Sequence, residues 1–297
     1  MLMLGNCAER LRELADGSVN LTVTSPPYDN LRTYNGNNDL WNDDVWKTVL
    51  KELFRVTADG GVVVWVVSDA TINGSETGTS FKQALFAMEC GFNLYDTMIY
   101  GKDNAPPLND PRYHQSFEYM FVMSRGRPRA GTLITEPSKY AGNIVGGTQW
   151  NSKGDKLVRK HGAGKQIKDR KIRSNIWMYK VGGAAVSYTG SKVTHPAKFP
   201  DALAMDHVLS WSNTGDTVLD PFMGSGTTGI ACVLLDRNFI GIELDPDFFA
   251  ISEKRIQDAR VARSGTIFSG QAWYAGHSEL HDKEDYVQLS LTENKDV

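Results

Sequence analysis

Short apolar runs alternate with helix-like stretches along most of this 297-residue chain, and this alternation constrains the fold more than any other feature. The apolar runs predict strands at residues 20–24, 61–68, 95–100, 118–123, 217–220 and 239–244. Helices are predicted at residues 8–15, 41–56, 80–90, 200–210, 227–237 and 246–262. Largely apolar strands are typical of a parallel sheet covered on both sides. The sequence therefore predicts an α/β fold with a mainly parallel sheet and helices on both faces.

A basic segment interrupts this alternation at residues 126–190. Between Arg125 and Arg173 there are 13 Lys and Arg residues against 3 Asp and Glu residues, although the whole chain has a net charge of −3. Such a concentrated positive region fits contact with a phosphate backbone, and a solvated loop is the alternative. We expect residues 1–125 and 191–263 to form the two halves of one domain around this insertion, and residues 264–297 to form a polar tail.

Several classes of protein are excluded by what the sequence lacks. No apolar stretch approaches the roughly 20 residues that span a bilayer, and the first residues do not match a signal peptide. The three cysteines, Cys7, Cys90 and Cys232, form neither a CxxC pair nor a cluster with histidine. We therefore expect a cytoplasmic protein with reduced cysteines, no membrane contact and no bound metal.

A glycine-rich turn follows the strand predicted at residues 217–220. Gly224, Gly226 and Gly229 have the spacing GxGxxG, and glycine permits positive φ angles and the close approach of a ligand. Glu243 lies at the end of the next strand, where a carboxylate can accept hydrogen bonds from a ribose. We expect a nucleoside site at this turn, and a tight turn without a ligand is the alternative.

Asp220 ends the strand that precedes this turn. In open α/β sheets, ligands bind in the crevice beyond the carboxyl ends of the strands, so Asp220 is expected to face the ligand. A carboxylate suits a cationic amino group better than a pyrophosphate. This preference favours S-adenosylmethionine, which carries an ammonium group, over a dinucleotide.

A second turn, Ser25-Pro26-Pro27-Tyr28, follows the first long strand. Two consecutive prolines cannot continue a central strand and fix a rigid, extended turn. The Ser25 hydroxyl oxygen and the Pro26 carbonyl can accept hydrogen bonds from an exocyclic amine, and the Tyr28 ring can stack on a planar base. These contacts would position the amine and stabilise the charge it develops, without covalent catalysis. A purely structural Pro-Pro loop is the alternative.

Together the two motifs resemble those of amino-group DNA methyltransferases. In that family DPFxGSGT is the S-adenosylmethionine turn and [SND]PP[YF] is the catalytic turn. Here the catalytic turn precedes the basic segment and the cofactor turn, an order that resembles the β subgroup. The resemblance implies a Rossmann-like, circularly permuted S-adenosylmethionine-dependent methyltransferase fold. The same order counts against glutamine methyltransferases and RNA guanine methyltransferases.

The resemblance also implies the cofactor-binding residues. The glycine turn and the strand after it match the family at several positions, namely Asp220, Pro221, Phe222, Gly224, Ser225, Gly226, Thr227, Glu243 and Leu244. His195 and Lys198 match the segment that contributes to the methionine pocket, and a helix-entry role is the alternative for His195. Asn6 stands where the family usually has an aspartate near the adenine.

The first residue of the catalytic turn bears on the target base. In the family, serine at this position is commoner among cytosine-N4 enzymes than among adenine-N6 enzymes, so Ser25 favours N4-methylcytosine. Adenine N6 is the alternative. Methylation of cytosine C5 requires a cysteine nucleophile, and none of the three cysteines stands in a Pro-Cys turn.

Double-stranded DNA is the expected partner, with the target base flipped out of the helix. Cations for DNA binding are predicted at Arg32, Arg125, Arg127, Lys153, Arg159, Lys160, Lys168, Arg170, Lys171 and Arg173. Trp150 and Trp177 are candidates for stacking, and residues 29–36 could close over the base. A cognate restriction endonuclease and a homodimer are left open. The competing hypotheses are a nucleic-acid-binding protein without turnover and a nicotinamide dehydrogenase, which gives the Ser-Pro-Pro-Tyr turn no role.

Overall fold

The computed structural model describes residues 1–28, 41–104, 112–129, 132–181 and 199–264. Its strands, in chain order, are β1 (Leu2–Leu4), β2 (Val19–Thr24), β3 (Thr57–Val67), β4 (Thr71–Ile72), β5 (Ser75–Glu76), β6 (Asn93–Lys102), β7 (Phe117–Ser124), β8 (Thr135–Pro137), β9 (Thr148–Trp150), β10 (Leu157–Arg159), β11 (Arg170–Ile172), β12 (Ile176–Tyr179), β13 (Thr217–Asp220) and β14 (Asn238–Glu243). Its α-helices are α1 (Cys7–Arg10), α2 (Asp43–Val56), α3 (Thr79–Glu89), α4 (Asp201–Trp211), α5 (Thr227–Leu234) and α6 (Pro246–Ser264), and a 3-10 turn (Leu11–Glu13) follows α1.

Eight of these strands form one sheet in the order β1-β14-β13-β2-β3-β7-β6-β12. All neighbouring pairs are parallel except β3–β7 and β7–β6, because β7 runs against the other strands. The mainly parallel sheet predicted from the sequence is thus confirmed. The reversal of β7 brings the beginning of that strand to the edge where β2, β3 and β13 end.

The central strand β3 shows why both faces of the sheet are covered. Val62, Val64 and Val66 pack with residues of α4, α5 and α6 on one face. Val63 and Trp65 alternate with them and pack with residues of α1, α2 and α3 on the other face. Because successive side chains of a strand point to opposite sides, a run that is apolar throughout requires helices on both.

The basic segment contains more regular structure than its weak periodicity indicates. Strand β8 pairs with β11 and β9 pairs with β10, both antiparallel, and an isolated bridge joins Ile144 to Gln166 between them. We call residues 135–172, which include these four strands, the basic ribbon. Strand β12, which the sequence placed inside the insertion, instead adds to the main sheet beside β6.

In the described part of the chain, none of the α-helices combines the length and the apolar composition that a membrane span requires. In the same residues, no three His, Cys, Asp or Glu side chains lie together as ligands for a metal ion.

Candidate active site

The two turns singled out in the sequence leave the sheet side by side. Strands β2 and β13 are parallel neighbours, so Thr24 and Asp220 end at the same edge, which we call the carboxyl edge. The Thr24 hydroxyl donates a 2.7 Å hydrogen bond to the Asp220 carboxylate, although 196 residues separate them. The Ser-Pro-Pro-Tyr turn therefore begins next to the residue that precedes the glycine turn.

Asp220 connects three parts of this edge. One carboxylate oxygen accepts from the Thr24 hydroxyl and the Phe222 amide, and the other accepts from the Thr228 hydroxyl at 2.8 Å. Only 2% of the residue is exposed, and this burial raises the pKa of Asp220 to about 6. Its oxygens bond strand β2, the turn and helix α5, and a contact between Asp220 and the ammonium group of the cofactor stays a prediction.

The glycine turn has the backbone conformation that its sequence predicts. Gly224 and Gly226 have φ angles of 49° and 81°, which side chains rarely tolerate. The Gly224 amide donates to the Glu243 carboxylate at 2.8 Å, and burial raises the pKa of Glu243. A Cβ on Gly229 would lie 2.5 Å from Ile256, so this third glycine allows α5 to pack against α6.

The side chains around this turn fit a nucleoside cofactor that also carries polar groups. The Thr227 hydroxyl, in the first turn of α5, is buried with no hydrogen-bond partner in the described part of the chain. Glu243 supplies a carboxylate for ribose hydroxyls. Phe222 is half-buried and meets the edge of Trp41, with ring centroids 5.2 Å apart. Pro221 and Ser225 are buried within the same turn, and Leu244 is exposed after β14.

The Ser-Pro-Pro-Tyr turn ends in a chain of hydrogen bonds. The Ser25 hydroxyl donates to the Tyr28 hydroxyl at 2.7 Å, and Tyr28 donates to the Glu118 carboxylate at 2.7 Å. Lys102 forms an ion pair with Glu118, also at 2.7 Å. Tyr28 is only 8% exposed, Pro26 is buried, and Ser25 and Pro27 are half-buried. The stacking of a base on Tyr28 stays a prediction.

Sequence reasoning missed Glu118, Lys102 and Trp41. A charged residue within the apolar run FEYMFVM was a signal for Glu118, because a buried carboxylate requires a partner. Only the reversed direction of β7 brings that carboxylate to Tyr28, and this direction is not apparent in the apolar pattern. Trp41 was assigned to the start of helix α2, but the helix begins at Asp43.

Asn6 lies beside the cofactor turn, but its side chain caps helix α1. Its side-chain oxygen accepts from the Ala8 amide and caps α1. The preceding Gly5 amide donates to the Glu243 carbonyl at 2.8 Å, so Asn6 is close to the end of β14. Arg32, His195 and Lys198, and with them the closing segment at residues 29–36, lie outside the described residues.

The cations predicted for DNA contact fall into two groups. The exposed group consists of Arg127, Lys153, Arg159, Lys160, Lys168 and Lys171. Arg125 and Arg170 are half-buried: Arg125 bonds the carbonyl of Thr57, and Arg170 bonds the hydroxyl and carbonyl of Thr135. The assignment of Arg173 to DNA needs correction, because its guanidinium forms an ion pair with the fully buried Asp206 at 3.0 Å.

The two tryptophans proposed for stacking differ in the same way. Trp177 is 5% exposed and packs between Arg173 and His207, so it belongs to the core. Trp150 is 62% exposed at the end of β9, opposite Leu157. The structure therefore leaves only Trp150 of this pair at the surface.

Comparison with known proteins identifies the family. The family N6_N4_Mtase, described as DNA methylase, matches residues 19–254. The orphan methyltransferase M.BamHII of Bacillus amyloliquefaciens is 44% identical over 248 residues, which cover 82% of this chain and 91% of that protein. The type II methyltransferase M.SmaI of Serratia marcescens is 27% identical over 292 residues, covering 86% and 90%.

Solved structures show the same fold. The cytosine-N4-specific PvuII DNA methyltransferase has a TM-score of 0.61 at 18% identity, covering 88% of this chain and 91% of that one. A putative DNA modification methylase of Thermus thermophilus, solved in complex with S-adenosyl-L-methionine, has a TM-score of 0.57 at 24% identity, covering 87% and 95%. This chain is thus a member of the DNA methylase family, an amino-group DNA methyltransferase whose cofactor is S-adenosylmethionine.

Proposed function

We propose that this enzyme methylates the exocyclic N4 amine of cytosine in double-stranded DNA, at a specific sequence. The observation that carries the proposal is the Thr24–Asp220 hydrogen bond, which holds the catalytic turn against the cofactor turn at one edge. Ser25 as the first residue of the catalytic turn supports cytosine. The alternative is adenine N6, and it is supported by 24% identity to the DNA adenine methyltransferase YhdJ of Escherichia coli.

S-adenosylmethionine, when bound, supplies an electrophilic methyl group. Glu243 would hold its ribose, while Gly224, Gly226 and Thr227 would offer backbone and hydroxyl groups to the rest of the molecule. Phe222 would pack against it together with Trp41. Asn6, His195, Lys198 and Leu244 stay predictions as further contacts.

The catalytic turn acts by positioning the amine. The Ser25 oxygen and the Pro26 carbonyl would accept hydrogen bonds from the two amine protons and so direct the nitrogen lone pair towards the methyl group. The same two acceptors stabilise the positive charge that develops on nitrogen. Pro27 keeps the turn rigid, because its ring fixes φ. Transfer would be direct: the bond from nitrogen to methyl would form as the sulfur–methyl bond breaks, with release of S-adenosylhomocysteine and one amine proton and without a covalent intermediate on the protein.

The basic ribbon is proposed to recognise DNA. Its exposed cations, Lys153, Arg159, Lys160, Lys168 and Lys171, offer charge to phosphates, and Arg127 lies just before the ribbon. A target base must leave the helix to reach the rigid turn at Ser25. A cognate endonuclease and a homodimer stay predictions, and the bacterial relatives favour a cytoplasmic enzyme beside the chromosome.

Nucleoside mass spectrometry of DNA from cells that express the protein tests this proposal. N4-methylcytosine in cells with the wild-type protein, and its loss with Ser25→Ala, is the expected result. N6-methyladenine instead would establish the alternative. DNA that carries neither modification, although the purified protein binds DNA tightly, would favour the binding protein without turnover.

A further inference from the structure

The catalytic turn is connected to a charged pair that the family motifs do not include. Glu118 lies at the second position of β7, and Lys102 lies at the end of the neighbouring strand β6. Their ion pair is 2.7 Å long, and Glu118 is buried beside Tyr28. The pair is therefore placed where its charge acts on the turn rather than on solvent.

The direction of each hydrogen bond in this chain follows from the chemistry of its members. A carboxylate paired with an ammonium group accepts hydrogen bonds and donates none. Tyr28 has a single hydroxyl proton, and it goes to Glu118. In the bond between the two hydroxyls, Ser25 is therefore the donor and Tyr28 the acceptor.

This direction matters for Ser25, whose hydroxyl could otherwise point either way. With its only proton given to Tyr28, the Ser25 oxygen presents lone pairs to its remaining neighbours. An exocyclic amine offers protons, so it requires an acceptor there. Without a fixed acceptor for its proton, the Ser25 hydroxyl would rotate. Molecules whose hydroxyl proton faces the amine could not accept a hydrogen bond from it and would not react.

We infer that Glu118, held by Lys102, is a positioning residue that acts through Tyr28 to keep Ser25 a hydrogen-bond acceptor for the target amine. This inference rests on the proposed methyl transfer to an exocyclic amine. It assigns Tyr28 a role through its hydroxyl, in addition to any contact of its ring with the base. It holds for either target base, since both carry the same amine.

Steady-state methyl transfer from labelled S-adenosylmethionine to DNA tests the inference with Glu118→Gln, Tyr28→Phe and the double variant. An amide can donate as well as accept, so Glu118→Gln removes the fixed direction while keeping the shape. We expect at least a tenfold lower kcat for each single variant, with the Kd for S-adenosylmethionine unchanged by calorimetry. The double variant should match Tyr28→Phe within about twofold, because the chain is already broken.

The matched control is Glu52→Gln, which removes the charge of a different ion-paired glutamate, one that is partly buried on helix α2. It should leave kcat unchanged. If Glu118→Gln fails to fold, judged by Tm, Tyr28→Phe tests the same chain, since it removes only a hydroxyl. An unchanged kcat for either single variant, or losses that multiply in the double variant, would overturn the inference.

Failure of the inference is distinguishable from failure of the proposed function. A wild-type protein that transfers no methyl group to any DNA refutes the proposed function, and the inference with it. A wild-type protein that methylates DNA beside a fully active Glu118→Gln variant refutes the inference alone.

Discussion

The carboxyl edge and the basic ribbon hold their charged side chains in opposite ways. At the edge, Asp220 and Glu118 are buried, and protein groups occupy their oxygens. On the ribbon, Lys153 and Lys160 are exposed. The difference indicates that the side chains at the edge are fixed by the fold before any ligand arrives, whereas the ribbon side chains that we propose for DNA recognition are left for the ligand to organise.

The largest effect is expected at Arg173, which follows the ribbon in the sequence but forms an ion pair with a buried carboxylate. We predict that Arg173→Ala lowers the free energy of unfolding by about 3–5 kcal/mol, because it removes a cation that pairs with the buried Asp206 carboxylate. Urea unfolding measures this, with the exposed Arg127→Ala as the control that changes stability by less than about 0.5 kcal/mol. A stable Arg173→Ala variant with weakened DNA binding would return Arg173 to the DNA-binding group.

The burial of Asp220 predicts a pH dependence of stability. Its pKa of about 6 lies above the ordinary value of 3.8, so the folded state keeps a proton that the unfolded state has lost between these values. The free energy of unfolding should therefore fall as pH rises from about 4 to 6, by at most about 3 kcal/mol. Asp220→Asn should remove this part of the slope in urea unfolding of the cofactor-free protein. An identical slope in both proteins would show that Asp220 is not desolvated.

Substitution of Ser25 tests whether the residues at the carboxyl edge contribute to the methyl-transfer step. We predict that Ser25→Ala lowers kcat about 100-fold, because one acceptor for the charged amine is lost. The Kd for S-adenosylmethionine should stay constant, since Ser25 belongs to the base side of the edge. Ser18→Ala, an exposed serine near strand β2, is the control. A variant that loses cofactor affinity rather than kcat would contradict this division.

The smallest effects are expected on the ribbon. Lys153→Ala combined with Lys160→Ala should raise KM for DNA several-fold without changing kcat. The slope of the logarithm of DNA affinity against that of salt concentration should shrink by about 1.8, which corresponds to two lost phosphate contacts. Lys82→Ala with Lys254→Ala, both exposed and outside the ribbon, is the matched control. An unchanged salt slope for the ribbon variant would place DNA elsewhere.

The sequence was sufficient for the parts of the fold that repeat a simple pattern. The six predicted strands occur, and five of the six predicted helices do, with ends shifted by a few residues. The helix predicted at residues 8–15 is a short α1 that continues as a 3-10 turn. The two turns were each predicted to follow a buried strand, and the Thr24–Asp220 bond shows that those strands end side by side. Local signals and a general rule of topology were enough for these features.

Features that depend on pairing between distant segments could not be predicted. The reversed strand β7 is as apolar as β3 and β6 on either side of it, so its direction, and with it the contact between Glu118 and Tyr28, could not be predicted. Arg173 looked like one more cation in a basic run, because nothing near it in the sequence identifies Asp206 as its partner. Short strands such as β1 and β12 carry too few residues for a pattern to be recognised.

Among the described strands, those of the ribbon pair with one another and with no strand of the main sheet. A ribbon of another length or sequence could therefore replace it without disturbing any hydrogen bond among Thr24, Asp220 and Glu243. Given the proposed role of the ribbon in DNA recognition, its exchange would change the recognised sequence while the transfer chemistry stays intact, so selection can act on the two properties separately.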